Sequence, residues 1–206
     1  MQTNTKLDEI LERLHSAEQE LEQEFNSLLA EKREQFQYSI RRGKVVFELN
    51  ARNWQRQHRT SLWQFLRKSP VAIILSAPVI YGMIIPLTLL DLSISIYQHI
   101  CFRIYGIPLV PRADYLVIDR QHLAYLNAIE KFNCIYCGYG NGLIEFTREV
   151  IARTEQYWCP IKHAQRTLDE HKRTQKFFDY GDADAWHQAL KEVRKDFREK
   201  TEETKK

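Results

Sequence analysis

Glycine and proline are scarce, at 7 and 6 of 206 residues, which excludes a collagen-like or low-complexity chain. Cysteine is sparse as well, and four in this length exclude a disulfide-dense secreted scaffold. The most telling shortage is local. Between Ser69 and Pro111, 43 positions hold only two charged residues, Asp91 and Arg103. The other 55 charges therefore crowd into 163 residues, about a third of them. A net charge of +3 conceals two materials in one chain: a heavily charged protein and an apolar insert.

The insert begins with VAIILSAPVIYGMIIPLTLL, residues 71–90, which carry no charge. As a helix these would run to about 30 Å, the thickness of a bilayer's hydrocarbon core. They follow a long charged segment, so they are not a cleaved signal peptide. The apolar character persists past Asp91 to Val110, and one straight helix over that length would reach about 60 Å, too long for a single crossing. Two arrangements are open. Residues 71–90 cross once and 92–105 lie along the interface, or the insert folds into a helical hairpin with Asp91 near its turn. Basic residues flank both ends, Arg67 and Lys68 before and Arg103, Arg112 and Arg120 after. That favours the hairpin, which keeps both flanks in the cytoplasm. An ionisable group at membrane depth, such as Asp91 or His99, is a functional candidate by default.

Residues 5–37 read as a helix with Leu7, Leu14, Leu21 and Leu28 at seven-residue spacing, a coiled-coil-like arm that could bind a second copy or a partner protein. Glu24 and Glu31 interrupt the seam, and packing on its own domain is an equal alternative. The arm, residues 1–40, carries −5, and the following segment, 41–69, carries +7. In that basic segment Phe47, Trp54, Trp63 and Phe65 are interleaved with arginines. Beside a membrane insert, this pattern suits a juxtamembrane helix on anionic headgroups rather than a nucleic-acid partner.

Beyond the insert, residues 116–132 and 143–158 show helical periodicity around a glycine-dense stretch, Cys134 to Gly142, which reads as a loop. Residues 111–165 are thus expected to form a helical hairpin, followed by a charged helical tail, 166–206. There Asp182 and Asp184 mark the start of a helix whose Trp186, Ala189, Leu190, Val193 and Phe197 share one face. Glu130, Glu145, Arg148 and Glu149 fall on the hairpin helices, where Glu145 and Glu149 read as a solvated face.

The chemistry concentrates in Cys134, Cys137, Cys159 and His163. Three thiolates and one imidazole would complete a tetrahedral zinc shell, with an iron–sulfur cluster as a second metal reading. If residues 143–158 form one unbroken helix, its length separates the two halves. A split set, Cys159 and His163 with His122 and Asp119, then competes. The Cys134–Cys137 pair also fits a redox couple or simple packing of small apolar side chains, and Cys101 within the insert reads as packing. The stretch Cys137-Gly-Tyr-Gly-Asn-Gly lacks the lysine and the preceding strand of a phosphate loop, and no serine nucleophile elbow is present.

The block from about Tyr105 to Arg166, with Cys134, Cys137, Cys159, Pro160, Lys162 and His163, resembles a family of small, uncharacterised bacterial membrane proteins. The resemblance implies a bacterial inner membrane and carries no catalytic residue. Together these readings predict a mostly α-helical membrane protein with its N-terminal region in the cytoplasm. Its expected role is a membrane-anchored metal-binding protein with a structural or sensing site. A coiled-coil scaffold without metal is the alternative, and a membrane-interface enzyme using His122, Glu130 or the cysteines is the third.

Overall fold

The computed structural model describes residues 2–41, 44–165 and 167–197. The chain is mostly helical and divides into two units, Met1–Gln64 with Asp119–Lys131, and Phe65–Ile118 with Phe132–Lys206.

In the first unit, the Leu-, Glu- and Gln-rich arm has strong helical propensity and forms α1, Gln2–Gln35. Gln37, in the left-handed region at φ 53°, stops it. The chain then enters a short antiparallel hairpin of β1 (Tyr38–Arg41) and β2 (Lys44–Phe47). Tyr38 pairs with Phe47 and Ile40 with Val45. The basic segment reads from sequence as a juxtamembrane helix. Across its start, β-branched Ile40, Val45 and Val46 and the facing Tyr38 and Phe47 instead favour a pleated pair. Helices α2 (Leu49–Gln57) and α3 (Leu62–Lys68) follow. The buried Gln55 side chain accepts a hydrogen bond from the Ala124 N–H at 3.0 Å.

In the second unit the apolar insert is one helical run, Val71–Tyr105. It comprises α4 (Val71–Gly82), α5 (Ile84–Tyr97), a π-helical turn (Gln98–Phe102) and a last short turn, α6 (Arg103–Tyr105). The expected hairpin is corrected here: α5 passes through Asp91 without a turn. Thr88 to Leu92 offers no glycine, proline or asparagine to reverse the chain. Pro86 lies in the first turn of α5, where a missing N–H costs least. The run ends at Gly106, whose φ of 70° lets the Ile107 N–H reach back to the Phe102 carbonyl at 2.8 Å.

Helix α7 is likewise unbroken, Ala128–Trp158, 31 residues. The predicted pair of helices and its glycine loop are therefore corrected to a single helix. Its glycines serve close approach. A Cβ on Gly142 would lie 2.7 Å from the Tyr115 carbonyl oxygen and 2.9 Å from Leu116 Cα. The connector after Gly106 thus runs directly across the helix backbone. Around this crossing Phe102, Ile107, Val110, Leu143, Phe146 and Val150 form the core.

Helix α7 also packs along the apolar run in the same chain direction. The Tyr81 hydroxyl donates to Asn133 Oδ1 and the Tyr136 hydroxyl to the Ile80 carbonyl, at 2.5 and 2.6 Å. Leu87 lies under Gly140, Tyr97 bonds Thr154 at 2.9 Å, and Tyr105 stacks on Tyr157. After α7, Ile161 bridges to Phe178, and α8, Ala183–Val193, starts where expected. Its cap is Asp182, which accepts from the Ala185 N–H at 2.9 Å.

Candidate functional site

Three polar constellations stand out among the described residues. The first is built on Asp91. Packed against protein on one side of α5, its carboxylate is 14% exposed and pairs with the Arg112 guanidinium from the connector. Both Arg112 Nη atoms donate to it, one at 2.5 Å. The Tyr139 hydroxyl of α7 adds a bond at 2.8 Å and the Ser95 hydroxyl a longer one at 3.4 Å. The cluster clamps connector, α5 and α7 together. His99, by contrast, is exposed and its Nδ1 lies 2.7 Å from the Ser95 carbonyl.

The second constellation centres on Glu149. Its Oε1 accepts from Arg153 Nε at 2.8 Å and from Arg173 at 2.8 and 2.5 Å. Arg153 continues to the Pro108 carbonyl, and Arg173 to Gln156 at 3.0 Å. The fully buried Gln156 side-chain amide then donates to the carbonyls of Val193 and Asp196. The reading of Glu149 as part of a solvated face is corrected. Glu145 is exposed, but Glu149 neutralises two buried guanidinium groups, and a chain of bonds pins the end of α8 onto α7. Such a network holds the fold rather than a substrate.

The third lies at the C-terminal end of α7. The Glu155 carboxylate pairs with His171 Nε2 at 2.8 Å, and Arg148 with Asp169 at 2.9 Å. They border a small cavity of about 160 Å³ that His163 and Phe177 also line. Cys159 follows the helix, where partial burial and then the Glu155 charge push its thiol above the usual range.

The structure does not bring the four proposed zinc ligands together. Cys134 and Cys137 lie on α7, and Cys159 directly follows its last residue. The helical rise from Cys137 to Cys159 is ~33 Å, whereas each ligand of one zinc sits ~2.3 Å or less from it. A single Cys134–Cys137–Cys159–His163 shell on one chain is thereby corrected. In the split set, Asp119 and His122 belong to the first unit and Cys159 and His163 to the second. Among the described residues no group of three or more His, Cys, Asp or Glu side chains converges as a metal site. Glu130, a candidate for interfacial catalysis, is a capping residue. Asn127 Oδ1 accepts from the N–H groups of Ile129 and Glu130, and Glu130 Oε2 accepts from the Asn127 N–H at 2.8 Å.

Sequence reading passed over the Asp91–Arg112–Tyr139 clamp, because its three members are 21 and 27 positions apart and on different elements. One signal was available: Asp91 is the sole acid in the apolar insert, and such a group requires a partner. No family model, curated protein or solved structure matches the chain.

Proposed function

We propose that the protein is a membrane-anchored scaffold, held to a bilayer by the Val71–Tyr105 helix and joined to a second copy through α1. One observation carries the reading: large apolar side chains lie uncovered on both long helices. On α1, Leu14, Leu21 and Phe25 are each more than 60% exposed and Leu28 is 49% exposed. On the apolar run, the 18-residue window most suited to a bilayer has none of its residues buried. Leaving so much apolar surface in water is unfavourable at about 25 cal/mol per Å², and contiguous patches of this kind mark interaction surfaces.

The two surfaces differ in chemistry. The α1 stripe is narrow, recurs at seven residues and is bordered by Glu, Gln and Arg, as a helix-to-helix seam requires. The α4 surface is apolar on every side, as lipid requires. The basic segment between them, with its exposed Trp54 and Trp63, suits anionic headgroups of a bacterial inner membrane facing the cytoplasm. A scaffold is favoured over a metal sensor because a helical rise of ~33 Å separates Cys137 from Cys159.

The test is the mass of the detergent-solubilised chain. The wild type is expected to be a dimer or higher oligomer. Leu14→Glu combined with Leu21→Glu should yield a monomer with unchanged helix content. A wild-type monomer across the accessible concentration range would refute self-association through α1.

A further inference from the structure

The apolar helix is long enough to cross a bilayer, but the way the chain returns from it points to another geometry. Because α7 packs parallel to the Val71–Tyr105 run, the chain must leave that run at Gly106 and come back to its other end. It re-enters beside Tyr81, at Phe132. The connector does this against the surface of α7. Arg153 holds the Pro108 carbonyl at 2.8 Å, Tyr115 meets Phe146, Leu116 crosses Gly142, and Val117 and Ile118 lie over Gly138. It therefore runs from the level of Arg153 back past that of Asp91, whose partner Arg112 it carries.

This return strand is not a helix. Apart from a 3₁₀ turn at Arg112–Asp114, residues 106–118 have no regular structure. They include Arg112 and Asp114, and Pro111 to Asp114 and Val117 are exposed. Irregular, lipid-exposed backbone does not occur within the hydrocarbon region, since no water is present there to satisfy an unpaired peptide group. If residues 71–90 crossed the bilayer, this connector would have to recross part of the same slab.

The helix itself shows the alternative. Along α5 and the π turn, Leu87, Asp91, Ile94, Gln98 and Phe102 face protein, with Gln98 Oε1 accepting from the Val110 N–H at 3.2 Å. At the same three- and four-residue steps, Ile85, Leu89, Leu92, Ile96 and Ile100 occupy the opposite face, and each is more than half exposed. From Val71 to Ile104 the uncovered apolar surface extends ~50 Å, well beyond the ~30 Å of a hydrocarbon core.

We infer that the protein is monotopic: the Val71–Tyr105 helix lies in one leaflet with the Ile85–Ile100 stripe toward the acyl chains. Its connector and both basic flanks remain on the same side, against anionic headgroups. This inference rests on the membrane anchoring proposed above and specifies its geometry. It also accounts for basic residues at both ends of the insert, which a single crossing leaves unexplained.

The test uses the full chain in native membrane vesicles, with its four cysteines replaced by serine or alanine. Single cysteines are introduced as Ser61→Cys, before the helix, and Gln175→Cys, after it, both at exposed positions. A membrane-impermeant maleimide should label both in inside-out vesicles and neither in sealed right-side-out ones. Labelling from opposite sides would overturn the inference while leaving membrane anchoring intact. Recovery of the chain in the soluble fraction would remove both. Spin labels at Leu89→Cys, Ile96→Cys and Ile100→Cys provide a second reading. Equal immersion depth along the stripe is expected, and a steady gradient from the bilayer centre to water would contradict it.

Discussion

Gly142 shows how much one missing Cβ decides. Its space is occupied by backbone, the Tyr115 carbonyl and Leu116 Cα, which has little freedom to withdraw. Gly140, two residues earlier, meets only the Leu87 side chain at an ordinary 3.5 Å. Gly142→Ala is therefore expected to destabilise the protein by about 1–3 kcal/mol through overpacking. Gly140→Ala should be neutral or stabilising by up to ~1 kcal/mol through helix propensity. Denaturant unfolding in a fixed detergent measures both, and equal effects would contradict the close crossing. Cys159 offers a test of local electrostatics. Partial burial and the Glu155 charge both disfavour its thiolate, and the thiolate is the species that alkylates. With the other cysteines replaced, Glu155→Gln should move the pH–rate curve for maleimide labelling of Cys159 to lower pH. An unchanged curve would dismiss Glu155 as a cause.

At the scale of elements, what could be read from sequence depended on whether local pattern and tertiary demand agreed. They agree in α1, where propensity and periodicity coincide, and at α8, where Asp182 caps as predicted. They agree again in the length and apolarity of the insert. They part at residues 134–142, where three glycines in five positions mimic a loop, but Gly138 and Gly142 meet a connector distant in sequence and Gly140 meets Leu87 of α5. They part also at Asp91, whose charge suggests a turn when it is considered alone. Its partner Arg112, 21 positions away, allows the helix to continue. The single four-ligand zinc shell parts from the structure for the same reason: cysteine spacing says nothing of the rigid helix between the two pairs. Glu149 hid a buried network behind an ordinary i, i+4 pattern, because its partner Arg173 is 24 residues further on.

At the largest scale, the organising fact of the second unit is a parallel pair of long helices, with the irregular connector after Gly106 lying along α7. That topology binds the polar body to one side of the apolar helix and leaves the other side bare. The arm α1 adds a second bare seam at the other end of the sequence. On the function proposed above, membrane attachment and self-association are carried by separate surfaces, and substitutions in one should leave the other intact. The central claim is that the bare face of the Val71–Tyr105 helix holds the protein to lipid. Flotation of the purified full chain with vesicles of mixed neutral and anionic lipid, after a high-salt wash, tests it most directly. The account predicts that wild-type protein floats with the vesicles and that Leu89→Glu combined with Ile96→Glu, folded by its helix content, remains at the bottom of the gradient. Equal flotation of both proteins, or of neither, would contradict it.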